Sequence, residues 1–434
     1  MRSQTISTKL RQIAKQASCY PNMVFSTLAH HMDIDFLREA HTRTRKKKSS
    51  GVDKVTAKAY AENLEENLQN LYDRMRSGKY KAPPVKRVWI EKEDKSQRPI
   101  GIPSFEDKIV QRAVAMLLGA VYTQDFYDFS YGFIEGRSPH QAIKVIWEQC
   151  TYKGNNINWI LDADVSGFFD NINHEFLRNI IKERVNDGGL LRYIGKWLNA
   201  GVQEGMNLSY SDEGTPQGGV ISPLLANIFL HHVLDDWFMK EVKPRLRGQC
   251  FLVRFADDFV IGFEKEEDAR RTMSVLTKRF ARFDLTIHPK KTKLIRFGRP
   301  DEILESDNQN GTFDFLGFTH FWAKSRKGFW VIKKKTCKKR FKRTLKSLWN
   351  WCRDNRHEPA LDQYKTLCSK LRGHFQYYGV RGNYPLLELV FKHAEKAWKY
   401  WLSRRSRTSY INWEKFDRLR HAFPLVRPRI YHYI

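Results

Sequence analysis

A chain of 434 residues with 41% hydrophobic and 13% aromatic content is long enough for two or three domains and too apolar to be disordered. Its 76 Lys and Arg against 48 Asp and Glu leave +28, which argues against an ordinary enzyme of small metabolites and for a polyanionic partner, nucleic acid first. No apolar run approaches the roughly 20 residues of a membrane span, no signal-peptide core follows Lys9 and Arg11, and none of the six cysteines has Cys-x-x-Cys spacing. A cytoplasmic protein with no membrane partner and reduced structural thiols is expected.

The chain opens on a mixed stretch ending in the basic run 41–48, where Lys46, Lys47 and Lys48 are candidates for phosphate contact and a solvated loop is the competing reading. Gly51 and Asp53 read as a turn and cap before one helix with Tyr60, Leu64, Leu68, Leu71 and Met75 on its inner face, closed by Gly78. Residues 86–92 alternate like a strand, 91–97 form a polar turn and 98–103 resume extended structure under two prolines, so a hairpin displays Lys86, Arg87, Lys92 and Arg98. Fixed cations on a hairpin can clamp a triphosphate, and Arg98 beside Pro99 is favoured; a surface ion pair is the alternative. An apolar helix follows over 109–121, then a loop over 131–139 feeding another helix.

Residues 158–165 read as a strand with Asp162 and Asp164 on one face by the two-residue period. Asp164 falls where the strand gives way to Ser166 and Gly167, ahead of Phe168, Phe169 and Asp170, a placement that suits a metal ligand; a simple bend at Gly167 is the alternative. The stretch 214–227 carries Gly214, Gly218 and Gly219, with Ser222 and Pro223 fitting the cap and first position of a helix to about Trp237. It lacks the Gly-Lys-Ser/Thr ending of a phosphate loop.

In Phe251-Leu-Val-Arg-Phe-Ala-Asp-Asp-Phe-Val-Ile-Gly-Phe263, two apolar strands enclose Ala256, Asp257 and Asp258 at or near a hairpin turn. Adjacent carboxylates in a half-dry setting raise each other's pKa, and a divalent cation is the simplest neutraliser; polar turn residues are the competing reading. Downstream lie a helix over 266–283, a basic strand entry over 285–293, and a strand over 313–320 with Gly317 at a bulge or close contact. Eight Lys or Arg among residues 333–343 then open a helix with Phe341, Leu345, Leu348 and Cys352 inward. Helices around 361–377 and 386–401 complete a separate basic helical domain, and the Arg-rich stretch 405–434 is too short for a large one.

Asp164 on one strand and the Asp257–Asp258 pair on a later hairpin form the acid set of a two-metal polymerase. There, two Mg ions about 4 Å apart activate a primer hydroxyl and steady the pyrophosphate. In order, Arg98-Pro-Ile-Gly-Ile-Pro103, Tyr131-Gly-Phe through Gly136-Arg-Ser, Ala163-Asp-Val-Ser-Gly-Phe-Phe-Asp170, Gly214-Thr-Pro-Gln-Gly-Gly219, Phe255-Ala-Asp-Asp258, Lys291-Thr-Lys293 and Phe315-Leu-Gly-Phe318 resemble the successive blocks of reverse transcriptases. Leu371-Arg-Gly-His-Phe-Gln-Tyr-Tyr-Gly379 resembles the maturase domain of bacterial group II intron-encoded proteins, and together these blocks cover most of the chain.

The resemblance implies an α+β right-hand polymerase: an N-terminal extension and start of the fingers over 1–85, fingers and an antiparallel palm sheet over 86–330, a helical thumb/maturase domain over 331–404, and a short basic DNA-binding segment over 405–434. It implies Asp164, Asp257 and Asp258 as catalytic metal ligands, with Val165 beside them, holding two Mg2+ ions. Phe168 would gate the incoming sugar, with Phe169 the neighbouring candidate; Gln217 would lie by the templating pair, Arg98 with Lys92 on the triphosphate, and Lys291 near the pyrophosphate as a proton donor. Lys334, Lys335, Lys338, Lys339, Arg340, Arg343 and Arg372 join the candidates for nucleic-acid contact.

The implied partners are group II intron RNA, an RNA template, a DNA primer or target and dNTPs, as monomer or dimer. The implied function is RNA-directed DNA synthesis with help to splicing and mobility. A splicing-only maturase, and a reverse transcriptase reassigned to host repair or phage defence, are the alternatives. Departures from the family pattern are Phe255 for the usual Tyr, which removes no metal ligand, and Ile134-Glu135 for the usual Arg-Pro, which puts a template contact there in doubt. The chain stops at Ile434 without a His/Cys-rich endonuclease, so target-strand cleavage is not expected.

Overall fold

The computed structural model describes residues 2–46, 49–91, 97–152, 154–204, 207–209, 218–300, 311–406 and 410–434. The N-terminal helices are α1 (Arg2–Cys19), α2 (Ile34–Arg43), α3 (Ala57–Glu62) and α4 (Leu64–Arg76), followed by the hairpin β1 (Val85–Glu91) and β2 (Gln97–Ile102) and by α5 (Phe105–Asp125). The one helix expected before Gly78 is two. Asn63 leaves helical geometry (φ −121°, ψ 47°), while the Thr56 hydroxyl accepts from the Ala59 N–H to start the first piece. The inward side chains still bury: Tyr60, Leu68, Leu71 and Met75 are all in the core. Ser104 caps α5, whose buried residues fall on every side, so it forms an axis against which α1 and α2 pack.

Next come α6 (Pro139–Thr151), opened by a Ser138–Gln141 capping box, β3 (Trp159–Ala163), β4 (Val165–Ser166), α7 (His174–Arg184), α8 (Gly188–Leu198), β5 (Val202–Glu204), β6 (Asn207–Ser209) and α9 (Ser222–Leu230). The cap of α9 is Ile221 rather than Ser222, without a side-chain hydrogen bond. Beyond Leu230 the helix continues as wider π-helical turns over His231–Asp236 and Phe238–Val242. Then follow β7 (Cys250–Phe255), β8 (Asp258–Phe263), α10 (Glu266–Ala281), β9 (Thr286–Ile287), β10 (Lys293–Arg296), β11 (Phe313–Phe315), β12 (Phe318–Lys324) and β13 (Trp330–Thr336). Gly317 is not a bulge: with Leu316 at φ 50° and Gly317 at φ 79° it forms the two-residue turn of the β11–β12 hairpin.

The strands make sheets in the orders β2-β1-β5-β6, β10-β3-β8-β7, β11-β12-β13 and β4-β9. The second sheet is antiparallel throughout and carries the apolar strands that the sequence marks, so both of its faces are covered: Leu161, Phe259 and Ile261 enter the main core, and Ile160, Val253 and Val260 a second cluster with Phe313 and Ile332. The mixed α+β class is as expected.

The remaining helices α11 (Lys338–Asp354), α12 (Ala360–Tyr378), α13 (Tyr384–Leu402) and α14 (Trp413–Ala422) enclose a core of their own, with Leu348, Leu371, Phe375, Val390 and Trp398. Phe416 and Leu425 close that same core, with Ile411, Leu419, Phe423 and Ile430 packed against it, so the described part of the last segment lies on the helices. The chain then returns to Gly379, whose carbonyl accepts from the N–H groups of Tyr431 and His432 at 2.8 and 3.0 Å. Among the described residues no helix is long and apolar enough to cross a membrane, and all six cysteines are free thiols.

Candidate functional site

The β3–β8 register pairs Asp162 with Val260 and Ala163 with Phe259; continued by one pair, it sets Asp164 opposite Asp258. Opposed residues of an antiparallel pair project to the same side, and so do residues two apart, so Asp162, Asp164 and Asp258 share one face. Ala256 and Asp257 form the two-residue turn between β7 and β8, with Ala256 in the left-handed region at φ 57°. Asp258 is exposed to solvent although protein surrounds it on most sides, at the end of β8 beside the Ala256–Asp257 turn.

These acids are close enough to perturb one another's titration. Burial pushes Asp258 up to about 7, and the neighbouring charges of Asp162, Asp257 and Asp164 add to the rise; the Leu316 backbone N–H opposes it by bonding the charged form. Asp162 is likewise pushed to about 7 by burial and then by Asp164 and Asp314, with Lys293 across the β10–β3 pairing in opposition. Burial also raises Asp257, and Asp164 adds to this, against the guanidinium groups of Arg98 and Arg254. Asp164 itself is turned onto Lys291, Nζ to Oδ2 2.9 Å, and its backbone N–H donates to the Thr292 hydroxyl at 3.3 Å.

An all-oxygen donor set held together at a cost in mutual repulsion suits a hard divalent cation such as Mg2+. Among the described residues, however, no three His, Cys, Asp or Glu side chains form a ready-made cage, consistent with Asp164 being engaged by Lys291. Val165 follows Asp164 directly and pairs with Ile287, which fixes the strand end.

Of the other expected residues, Arg98 lies on β2 within electrostatic reach of Asp257. Phe168 is 2% exposed and packs against Phe169 and Phe229 at 5.3 and 6.4 Å between ring centres, whereas Phe169 is only half-buried. Lys92, Gln217, Lys47 and Lys48 lie outside the described residues. Lys46, Lys335, Lys338, Lys339, Arg340, Arg343 and Arg372 are at the surface.

Lys334 is a correction. It is 1% exposed, its amine has no hydrogen-bond partner, and burial lowers its pKa to about 8, so it cannot contact phosphate from where it stands. On β13, Ile332, Lys334 and Thr336 alternate inward, and the amine lies 5.8 Å from the Trp147 ring centre.

Sequence reasoning overlooked two supports. Leu316, at the β11–β12 turn, holds Asp258 through its N–H, and its carbonyl accepts from the Tyr377 hydroxyl of α12 at 2.9 Å. The second is the fully buried pair Arg254–Asp235, beneath the Ala256–Asp257 turn. The hydrophobic flanks of Arg254 were visible, but nothing local points to a partner nineteen residues earlier on a π-helical turn.

Residues 90–320 match the family described as Reverse transcriptase (RNA-dependent DNA polymerase). The chain is 36% identical to Protein YkfC of Escherichia coli (strain K12) over 286 residues, 59% of this chain and 75% of that protein. It is 34% identical over 241 residues to Group II intron-encoded protein LtrA of Lactococcus lactis subsp. cremoris, 54% of this chain and 39% of LtrA. Nuclear intron maturase 4, mitochondrial, of Arabidopsis thaliana is 26% identical over 162 residues, 36% of this chain and 19% of that one. The matched region spans β3, the β7–β8 hairpin and the acids on them, and the chain belongs to the reverse transcriptase family.

Proposed function

We propose that this chain is an RNA-directed DNA polymerase that extends a primer on an RNA template by two-metal nucleotidyl transfer, and that it binds group II intron RNA to assist splicing and mobility. The observation that carries the polymerase reading is the single face shared by Asp164 and Asp258, with Asp257 at the adjoining turn. In this reading residues 86–330 are fingers and palm, 331–404 the thumb, and 405–434 a DNA-binding extension, after an N-terminal extension and the start of the fingers.

Asp164, Asp257 and Asp258, with Val165 beside them, would hold two Mg2+ ions, which when bound supply charge neutralisation at the attacking and leaving oxygens. Arg98, on a hairpin that leans toward Asp257, orients the triphosphate. Phe169, backed by the buried Phe168, presents the ring that excludes a 2′-hydroxyl; its greater exposure favours it over Phe168. Lys291 stands beside Asp164, where an ammonium can donate a proton to the departing pyrophosphate.

The charged face of α11 supports nucleic-acid contact. Arg343, Lys346 and Lys370 line a groove of about 420 Å3 with Trp351, which combines phosphate partners with a stacking surface. Splicing assistance rests on the 371–379 block and on relatives named for group II introns and intron maturation.

Primer extension on an RNA template with Mg2+ tests the polymerase reading. The wild-type chain extends the primer and Asp257→Ala does not; full activity in Asp257→Ala would remove the assignment. RNA co-purified from a host carrying the gene should be enriched in intron sequence.

A further inference from the structure

The turn that carries Asp257 is held in an unfavourable backbone conformation by buried groups beneath it. Ala256 adopts φ 57°, a region that L-residues other than Asn and Asp rarely occupy, and it is 6% exposed. Something must over-determine that geometry.

Arg254 lies two residues earlier with its side chain fully buried. Its Nε and Nη2 donate to Asp235 Oδ1 and Oδ2 at 2.8 and 2.5 Å. Its Nη1 donates to Asn227 Oδ1 at 2.9 Å and to the Ala256 carbonyl at 3.0 Å. Asn227 in turn donates from Nδ2 to the Gly132 carbonyl at 2.6 Å. Gly132 is pressed against the same turn, since a Cβ there would lie 2.2 Å from the Ala256 nitrogen. The backbone of Arg254 closes the ring, accepting from the Tyr131 N–H at 2.8 Å and donating to the Phe129 carbonyl at 2.9 Å.

One planar guanidinium therefore ties two segments to the turn, which it holds through the Ala256 carbonyl: α9 with its π-helical extension through Asn227 and Asp235, and the 129–132 segment through Asn227. A buried ion pair is not in itself a source of stability, because apolar residues of similar volume often serve as well. What they cannot supply is a donor aimed at the Ala256 carbonyl. We propose that Arg254 is a positioning residue, which with Asp235 and Asn227 fixes the left-handed Ala256 turn so that Asp257 and Asp258 keep their place beside Asp164. This inference rests on the polymerase reading for its activity arm and stands apart from it for its exchange arm.

The test uses the full chain and three variants: Arg254→Met, Arg254→Lys, and the double Arg254→Met/Asp235→Leu, which leaves no buried charge unpaired. Amide hydrogen exchange of residues 255–258 is measured without metal. It should speed up about tenfold or more in Arg254→Met and in the double variant, with α5 and α10 unchanged in the double. In primer extension the double variant should lose about 10–100-fold in kcat with the dNTP KM little changed, and Arg254→Lys should fall between it and wild type.

A merely structural pair predicts the opposite: the double variant recovers wild-type kcat and wild-type exchange at 255–258, and either result overturns the proposal. If the wild-type chain extends no primer, the polymerase reading fails, and the exchange arm still decides whether Arg254 holds the turn.

Discussion

Replacing Asp258 by Asn should stabilise the metal-free protein while abolishing its activity, and the gain should depend on pH in a stated direction. Asp258 rises from an ordinary 3.8 to about 7 because burial and three neighbouring carboxylates disfavour its charged form. A folded-state pKa above the unfolded one gives stability that is fully present below about pH 4 and is lost as pH climbs through about 7. Asn imitates the protonated acid and can still accept from the Leu316 N–H, so it escapes that loss. A rise from 3.8 to about 7 corresponds to roughly 4 kcal/mol for a fully shielded group. The side chain is exposed, and screening reduces this to about 1–2 kcal/mol. Thermal melts in EDTA should place Asp258→Asn about 2–4 °C above wild type at pH 8 and level with it near pH 4. Millimolar Mg2+ at pH 8 should raise the wild-type melting temperature more than that of the variant, because the cation binds the folded acid cluster only. A variant no more stable than wild type at pH 8 in EDTA, or one whose gain is as large at pH 4, refutes the electrostatic account.

The two adjacent rings should separate in their effects. Phe169→Val should admit ribonucleotides about 10–100-fold more readily, measured by competing rNTP and dNTP incorporation. Phe168→Ala should cost about 3–5 kcal/mol in denaturant unfolding, as a buried ring leaves a cavity. Lys334→Met should stabilise the fold by about 1–2 kcal/mol below pH 8, since it removes an unpartnered buried amine, and leave the salt dependence of RNA binding unchanged. Lys338→Gln, Lys339→Gln and Arg343→Gln combined should lower the log–log salt slope by about 2–3, read from filter binding across salt. Arg98→Ala should raise the dNTP KM with kcat nearly held, whereas Lys291→Gln should lower kcat by about a hundredfold, both read from steady-state extension.

How much of this could be read from the chain depended on whether the signal was local. The apolar arms around Asp257 and Asp258, and the two-residue period that puts Asp162 beside Asp164, foretold the strands of one sheet, because burial on both faces leaves no other reason for acids there. The helices over 361–377 and 386–401 appear as Ala360–Tyr378 and Tyr384–Leu402, set by their apolar stripes. The break at Asn63 was not legible, since the inner-face pattern runs straight through it. Lys334 was misread for a different reason. Counting Lys and Arg over 333–343 treats them as one helix face, but residues 330–336 form a strand, and period two from Ile332 carries Lys334 inward. The alternation was there to find; the charge run hid it. Arg254 could not be assigned a partner at all, because Asp235 owes its position to π-helical turns that no sequence period announces.

Several residues that break local rules gather at the turn between β7 and β8 and the strand ends beside it. Four carboxylates crowd the open end of one sheet, Ala256 stands at φ 57°, Arg254 and Asp235 bury full charges, and Leu316 turns left-handed to present its N–H to Asp258. Each is unfavourable on its own. The supports are distributed over the acids: Lys291 takes Asp164, Lys293 opposes Asp162, Leu316 bonds Asp258, and Arg98 and Arg254 act on Asp257. Among the described residues, Asp162, Asp257 and Asp258 still sit above the ordinary carboxylate range with these partners in place. That excess ties the fold to its chemistry, because relieving it is worth most when the turn is rigid enough to keep the acids from swinging apart. Rigidity at Ala256 and repulsion at Asp258 are two halves of one arrangement, and if the proposed two-metal site is right, loosening either should weaken Mg2+ binding even with Asp164, Asp257 and Asp258 all present.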